Sequence, residues 1–342
     1  MVATYETKTD YNVVGKSPIR HDALEKVTGR AVYGGDVKAP GLIWGDVVRS
    51  PHSHARIKSI DTSEALKLEG VFAVLTHDDF PVAEERELES GEDVVNLKRD
   101  QANVMADDKV HYKGHVVAAV AAVDRNTAEE AASRIKVEYD VLQNVSDVDT
   151  AMSDKAPIIL ENLVGDHLGE DVPNTNIAKI FRYEFGDIDD AFNNSDLVVE
   201  RTVTMSMIHQ GYIEPHNATA IWAEDGQITV WSSTQGSFGV RSQTAGMVGV
   251  AESKVKVNYV EIGGGFGGKT KVYLAPIAAL LSKKSGGRPV KLVMDRSSVF
   301  EATGPAPGGK IRMKIGVNKA VSYTHLRAHE TDSYLVCRLL LE

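Results

Sequence analysis

The sequence predicts a mixed α/β (α+β) chain built as two successive units, an N-terminal α/β domain over residues 21–149 and a second domain over 180–318. Three observations predict it. Short alternating or continuous apolar runs, bounded by Gly, Pro and Asp, recur through both halves and read as strands. A few segments of helical period with polar starts fall between them. In the second half, a strand-like run is followed by five glycines in six positions and then by an apolar helix. Such a loop lets backbone N–H groups approach a ligand closely.

In chain order, residues 1–20 are polar and irregular and read as an arm. Residues 30–33 and 42–48 are strand-like and separated by Pro40-Gly41, and 55–60 is a third, alternating strand. Thr62 or Ser63 is placed to cap a short helix that runs to Leu68 and ends at Gly70, before a strand at 71–76. Residues 82–103 are charged and poor in large apolar groups, which predicts a surface loop. The continuous apolar run at 116–123 predicts a strand buried on both faces. Thr127-Ala128-Glu129-Glu130 has the form of a capping box opening a helix through about Ser133, with a strand at 135–139 after it. Residues 150–179, with Pro157, Gly165, Gly169 and Pro173, read as a connection. The second unit then offers strands at 196–203, 218–222 and 228–233, the latter two joined by a turn at Asp225-Gly226. A helix follows at 238–248 and a strand at 255–262. After the glycine loop come a helix at 273–281 and strands at 289–295 and 310–317.

Bulk properties exclude several classes of function. The 342 residues carry a net charge of −10 with no long basic run, which argues against nucleic acid or an anionic membrane surface as partner. No apolar run has the length of a membrane span, and the first eight residues lack a signal-peptide pattern, so a cytoplasmic location is expected. Cys337 is the one cysteine. It allows no internal disulfide and cannot hold an iron–sulfur cluster, which needs several thiolates. From Ala320 the chain fits nothing before it. Residues 319–342 read as a non-native tail of the kind produced by translated adapter sequence, and they are left out of the fold.

The loop itself admits two motifs. Gly263 to Thr270 satisfies the phosphate-loop pattern G-x-x-x-x-G-K-[ST], and Gly263, Gly265 and Gly268 satisfy the dinucleotide pattern G-x-G-x-x-G. Either points to a phosphate or pyrophosphate, with the following helix directing its positive end at the loop. In the first reading Lys269 binds β- and γ-phosphates and Thr270 holds Mg²⁺. Against it, the loop lies late in the chain rather than after the first strand of its own domain, and Asp295 is a poor match to a distant metal-binding aspartate.

Several separated motifs decide between these readings. Arg20-His21-Asp22-Ala23-Leu24-Glu25-Lys26-Val27-Thr28-Gly29 is followed by Arg49-Ser50-Pro51-His52-Ser53-His54-Ala55-Arg56-Ile57 and Tyr112-Lys113-Gly114-His115-Val116-Val117-Ala118. Then come His209-Gln210-Gly211-Tyr212-Ile213-Glu214-Pro215, Ser233-Thr234-Gln235-Gly236 and the glycine loop. In this order the chain resembles the molybdopterin-binding large subunit of the xanthine dehydrogenase/aldehyde oxidase family of molybdenum hydroxylases, from about Gly15 to Val317. The resemblance implies an N-terminal hammerhead-like α/β domain followed by part of the first molybdenum-cofactor-binding domain. It implies a molybdenum–molybdopterin cofactor, commonly in the cytosine dinucleotide form in bacteria. Gln235 matches the glutamine that hydrogen-bonds an oxygen ligand of molybdenum, Phe266 the loop residue in contact with the cofactor, and Gly265 and Gly267 its flanking glycines. Thr270 stands where purine-oxidising members carry a substrate-binding glutamate, so purine specificity is not expected. The implied reaction hydroxylates an electron-poor heterocycle or aldehyde carbon with oxygen from water. Its electrons pass to iron–sulfur clusters and FAD in partner subunits, so a heteromer is expected. The family's general base is a glutamate in a later stretch than this sequence reaches. No residue here is assigned that role, no residue binds the metal directly, and the fragment is expected to be inactive alone.

The remaining candidates have plainer readings. Gln235 could simply cap the helix after it. His52 and His54 form an H-x-H pair with no third ligand evident, so they read as structural. His209 and Glu214 could be a pocket pair, but a buried hydrogen-bonding scaffold is the expectation. Lys269 could neutralise a phosphate or lie on a solvated helix face. Asn193 and Asn217 open glycosylation sequons that have meaning only in a secreted protein. A non-catalytic scaffold without cofactor is the third class of function beside the hydroxylase and the nucleotide binder.

Overall fold

Seven apolar side chains stand in a row at Val116–Ala122 because both faces of that strand are covered, as the sequence predicts. The strand belongs to the largest sheet in a computed structural model that describes residues 11–83, 87–90, 93–161, 163–319 and 328–329. The first ten residues of the expected arm and all of the expected tail from Ala320, except Ala328–His329, lie outside the described residues, as does Cys337.

In chain order, α1 (Ala23–Val27) precedes β1 (Ile43–Arg49), β2 (Ala55–Asp61), α2 (Ser63–Leu66) and β3 (Val71–Leu75). The hairpin β4 (Glu87–Ser90) and β5 (Asp93–Asn96) leads to α3 (Leu97–Val104), β6 (Lys109–Val110), β7 (Val116–Ala122), α4 (Arg125–Arg134) and β8 (Lys136–Val141). A small unit follows, α5 (Val148–Ala151) with β9 (Val164–His167), β10 (Glu170–Pro173) and β11 (Lys179–Ile180). Then come α6 (Ile188–Asn193), β12 (Leu197–Met205), β13 (Asn217–Trp222), β14 (Ile228–Ser232) and α7 (Ser237–Val248). The described chain closes with β15 (Val255–Asn258), α8 (Ala275–Lys284), β16 (Val290–Val293), α9 (Arg296–Ala302) and β17 (Gly309–Val317).

One seven-stranded sheet, in the order β15-β14-β13-β16-β1-β7-β3, draws strands from both halves of the chain. They meet where β1 pairs with β16 in parallel, Ile43 opposite Val290 and Trp44 opposite Lys291. The period-two alternation of β7 then divides the core. Ala119 and Ala121 join the cluster that holds Ile277 and Leu281 of α8. Ala118, Val120 and Ala122 join the cluster that holds Ala128 and Ala131 of α4. The result is three layers, with helices on both faces of the sheet. β12 and β17 pair antiparallel in a separate sheet, registered from Leu197–Val317 to Met205–Gly309, with Ala328–His329 antiparallel on the other edge of β17.

Four expectations need correction. Residues 30–33 form no strand: Tyr33 makes only an isolated parallel bridge to Glu261, because the chain turns at once through Gly34-Gly35-Asp36. Residues 82–103 are not a loop throughout. They hold the β4–β5 hairpin and α3, whose Leu97, Gln101 and Val104 are buried while Lys98 and Arg99 face solvent. Its start is fixed by the Asn96 side chain, which accepts from the Arg99 N–H at 3.0 Å. The cap of α4 is Asp124 rather than Thr127; Thr127 supplies the N–H that Asp124 accepts, at 2.8 Å. The stretch 150–179 is not merely a connection, since it carries the three-stranded sheet β10-β9-β11 over a small core of Val145, Ala151 and Ile159.

Candidate functional site

The glycine loop differs from the strand–loop–helix expected of a phosphate loop. β15 ends at Asn258, before Tyr259-Val260-Glu261-Ile262, and α8 does not begin until Ala275, with Pro276 in its first turn. The helix therefore does not open at the end of the loop. What shapes the loop instead is a set of side chains from the ends of β13 and β14.

Glu214 is the first of these. Its Oε2 accepts from Ser233 Oγ at 2.6 Å, from the Gly263 N–H at 2.7 Å and from Lys269 Nζ at 2.9 Å. Its Oε1 accepts from Asn217 Nδ2 at 3.1 Å. One carboxylate thus ties the start of β13 and the end of β14 to both ends of the loop. Lys269 has 0% of its side chain exposed and Glu214 10%. Burial pushes the Glu214 carboxyl up, but the bonds from Ser233, Gly263 and Lys269 outweigh it and hold the group below the usual carboxylate range. Burial pulls Lys269 down and Glu214 opposes that pull. With these donors in place the pair is ionic. Lys269 therefore neither neutralises a phosphate nor lies on a solvated face. The Mg²⁺-nucleotide reading falls with it, because that lysine must reach the ligand.

Gln235 is the second. Its Oε1 accepts from the N–H of Gly267 at 2.9 Å and from the N–H of Lys269 at 3.1 Å, and its own backbone N–H donates to the Lys269 carbonyl at 3.0 Å. It does not cap α7; Thr234 Oγ1 accepts from the Gly236 N–H ahead of that helix. Both lone pairs of Oε1 are used inward, while Nε2 makes no hydrogen bond among the described residues, on a side chain that is exposed. The glycines follow from this packing. A Cβ at Gly265 would stand 2.5 Å from Gln235 Oε1, one at Gly263 2.5 Å from Glu214 Cβ, and one at Gly268 2.7 Å from Tyr212 Cε1. A Cβ at Gly267 would meet nothing within 4 Å, but φ there is +88°.

Tyr212 supports the loop from below. His209 Nδ1 accepts from the Gly211 N–H, so its Nε2 carries the proton and donates to Thr303 Oγ1 at 2.9 Å. Thr303 donates to the Val299 carbonyl, so it accepts from the Tyr212 hydroxyl at 3.0 Å. Tyr212 then accepts from His216 Nε2 at 2.6 Å. His216 is neutral, its pKa pushed down to about 3 chiefly by burial. The chain of bonds fixes the phenol ring, whose centroid lies 4.8 Å from Lys269 Nζ. His209 and Glu214 accordingly belong to two adjoining scaffolds rather than to one pocket pair.

The outer face of the loop suits an anion. Phe266 is 74% exposed and sits at φ +52°, between Gly264 at +94° and Gly267 at +88°. A left-handed non-glycine residue is a strained conformation that clusters at ligand sites. The N–H groups of Gly264, Gly265 and Phe266 make no hydrogen bond among the described residues. Left-handed residues next to consecutive unpaired N–H groups are the backbone pattern from which anion nests are built. Gln235, Gly265, Phe266 and Gly267 are thus brought together. Thr270 joins them at the rim, its Oγ1 donating to the Gly267 carbonyl at 3.1 Å. Glu214, Ser233 and Tyr212 complete the arrangement; Glu214 was expected as buried hydrogen-bonding scaffold, and Tyr212 and Ser233 stood in the quoted motifs without a role of their own. The histidine pair is structural: His52 packs edge-on against Tyr139, and His54 Nδ1 donates to the Gln143 carbonyl. No three-ligand metal cluster occurs among the described residues. Asn217 is buried at the hub and cannot serve as a surface sequon.

Residues 28–143 match the family described as "Aldehyde oxidase and xanthine dehydrogenase, a/b hammerhead domain", and residues 168–334 match "Molybdopterin cofactor-binding domain". The chain is 32% identical over 310 residues to the nicotinate dehydrogenase large molybdopterin subunit of Eubacterium barkeri, across 91% of this chain and 68% of that one. It is 32% identical over 303 residues to the xanthine dehydrogenase molybdenum-binding subunit of Escherichia coli O157:H7, across 88% and 39% respectively. Among solved structures, it superposes on the reconstituted CO dehydrogenase from Oligotropha carboxidovorans with a TM-score of 0.75 and 31% identity, covering 89% of this chain and 38% of that one.

Proposed function

Because the chain belongs to the xanthine dehydrogenase/aldehyde oxidase family of molybdopterin-binding large subunits, we propose that loop 263–270 and Gln235 bind a molybdenum–molybdopterin cofactor. The observation that carries this is the division of labour within Gln235. Its carbonyl oxygen is occupied by the loop, and its amide Nε2 is left as a donor on an exposed side chain beside that loop. The residues fit the group: free N–H donors for a phosphate, an exposed Phe266 for an apolar contact, and an amide donor for an oxygen. When bound, the molybdenum centre supplies two-electron oxidation of a carbon with oxygen taken from water. The part of this chain is to hold and orient. Gln235 fixes an oxygen by donation from Nε2, Gly265 and Gly267 admit the ligand to the backbone, and Thr270 lies at the edge where substrate would approach.

The reading extends to an oxidoreductase that hydroxylates a heterocycle or aldehyde carbon, with the cofactor in its cytosine dinucleotide form. It places iron–sulfur and FAD groups in partner subunits, the general base beyond residue 342, and the complex in the cytoplasm. Among the described residues no helix is long and apolar enough to cross a membrane. The test uses the full-length subunit purified with its partners. Gln235→Ala should lower bound molybdenum and released pterin nucleotide together while the fold, followed by circular dichroism, persists. Wild-type molybdenum and pterin in that variant would overturn the assignment. Absence of molybdenum from the unmutated complex would favour a scaffold.

A further inference from the structure

The chain leaves β11 as an extended stretch without a neighbour. β11 is an edge of the small sheet β10-β9-β11, and its parallel pairing with β9 stops at Ile180, opposite His167. The Leu168 N–H donates to the Ile180 carbonyl, and beyond it no backbone group of residues 181–185 makes a hydrogen bond among the described residues. The stretch Phe181-Arg182-Tyr183-Glu184-Phe185 is nonetheless extended. Phe181 and Tyr183 meet edge-on with ring centroids 5.6 Å apart, and Arg182 Nε lies 2.7 Å from Glu184 Oε1. Both pairs are two residues apart, which is the period of a strand. The aromatics therefore share one face and the opposite charges the other. Gly186, at φ +74°, then turns the chain toward α6.

Phe181, Tyr183 and Phe185 are 45%, 89% and 92% exposed. A single exposed ring is ordinary, but aromatics in strand alternation beside open backbone form an edge that a further strand would complete. Protected edges carry lysine or proline, and 181–185 contains neither. The charge pattern selects the strand. In antiparallel pairing about Tyr183, the stretch meets a second copy of itself with Phe181 opposite Phe185, Tyr183 opposite Tyr183 and Arg182 opposite Glu184. Every cross-strand pair is then aromatic with aromatic or cation with anion, which are favourable combinations. Parallel pairing in register would set Arg182 against Arg182 and Glu184 against Glu184. A slip of one residue in the antiparallel pair would set Phe181 against Glu184 and Arg182 against Tyr183. A twofold contact requires a surface that complements itself, and this one does.

We propose that residues 181–185 are a self-association edge, pairing antiparallel with the same residues of a second copy of this subunit about a twofold axis at Tyr183. The contact is small, so the dimer is weak and concentration-dependent. It is independent of the cofactor assigned to the loop. The test uses the full-length subunit in its complex. Residues directly opposite in an antiparallel pair stand about 4.5–5.5 Å apart at Cα, within reach of a disulfide. Tyr183→Cys should therefore give, on mild oxidation at about 10–100 µM subunit, a dimer in which peptide mass spectrometry finds position 183 joined to position 183. Arg182→Glu or Glu184→Arg in that background places four like charges at the contact and should slow the crosslink about tenfold or more. Mixed together, those two variants oppose Glu to Arg at both pairs and should crosslink to each other at close to the parent rate. The double reversal, which leaves net charge unchanged, should do so with itself. Arg182 and Glu184 are exposed, so each variant should keep the parent's circular dichroism. Absence of the 183–183 linkage, single reversals as fast as the parent, or a double reversal that stays slow would each overturn the proposal. So would amides 182–185 equally protected from hydrogen exchange in Glu184→Arg and in the parent, since another segment of the complex would then cover them.

Discussion

Replacing Glu214 by Gln tests whether one carboxylate sets the loop. The substitution keeps the shape and one acceptor oxygen. Placed at Oε2, that oxygen still receives Ser233 Oγ and the Gly263 N–H, but it no longer carries the charge that faces Lys269 at 2.9 Å. The new amide group then confronts Asn217 Nδ2, which cannot turn away without losing its bond to the Pro215 carbonyl at 3.1 Å. An ammonium with 0% exposure is left unpaired. Breaking a buried pair from one side costs about 3–5 kcal/mol, a large part of the roughly 5–15 kcal/mol that a folded domain has. Lys269→Met removes the other partner and leaves a carboxylate that still has neutral donors, so its cost should be smaller, about 2 kcal/mol. In the double variant no buried charge is orphaned, so its cost should fall well short of the sum, with a coupling of about 2 kcal/mol or more. Urea unfolding gives the global figures. Hydrogen exchange of the Gly263 and Lys269 amides, which donate to the side-chain oxygens of Glu214 and Gln235 respectively, reports the loop itself. Additive costs in the double variant, or a wild-type urea midpoint in Glu214→Gln, would refute the reasoning.

Gly265→Ala puts a methyl 2.5 Å from Gln235 Oε1; it should displace that side chain, speed exchange of the Gly267 amide and lower bound molybdenum several-fold in the full complex. Gly34→Ala would place Cβ 1.8 Å from Asn217 Oδ1; an overpacking cost of about 1–3 kcal/mol should appear in urea unfolding, with loss of protection at the Glu261 amide, which donates to the Val32 carbonyl. Stability should also fall with acid. Burial pushes His111 down to about 4 and His115 and His216 down to about 3. Because the folded values lie below the unfolded one near 6.5, the unfolded chain takes up the protons first. The stability is complete above about pH 6.5 and is lost as pH falls toward the folded values, at about 2 kcal/mol per histidine by about pH 5. Flat stability across that window, measured by urea titration at fixed salt, would contradict the burial of these rings.

The elements that the sequence showed best are those whose neighbours are implied by their own pattern. A run of seven small apolar residues at Val116–Ala122 can be satisfied only by cover on both faces, and α4 and α8 supply it. The helix α3 was hidden for the opposite reason. Charged residues fill three successive positions, Lys98, Arg99 and Asp100, and of its three buried positions, Leu97, Gln101 and Val104, the polar one is explained only by its Nε2, which reaches the Pro81 and Met247 carbonyls. The second of these contacts spans more than a hundred residues of chain and leaves no local trace. The cap of α4 was misplaced by one turn because Asp124 and Thr127 both suit a helix start, and only backbone geometry chooses between them.

The site divides along the same line. Gly265 and Gly267 stood out by residue type, since glycine suits close approach and left-handed backbone, whereas Gln235 and Phe266 were singled out only by the family resemblance, and the structure brings all four together. Lys269 was not legible, since a lysine after a glycine loop has the same spelling whether it meets a phosphate or a carboxylate. Its role depends on Glu214, fifty-five positions earlier. The two alternatives carry opposite electrostatics. A solvent-facing lysine would add positive charge at the loop, whereas the buried pair cancels it and leaves attraction for an anion to the N–H groups of Gly264, Gly265 and Phe266. A loop that recognises by directed N–H dipoles rather than by net charge depends on the exact course of its backbone. On the proposed reading, the ion pair beneath the loop is therefore as necessary to the site as the residues on its surface.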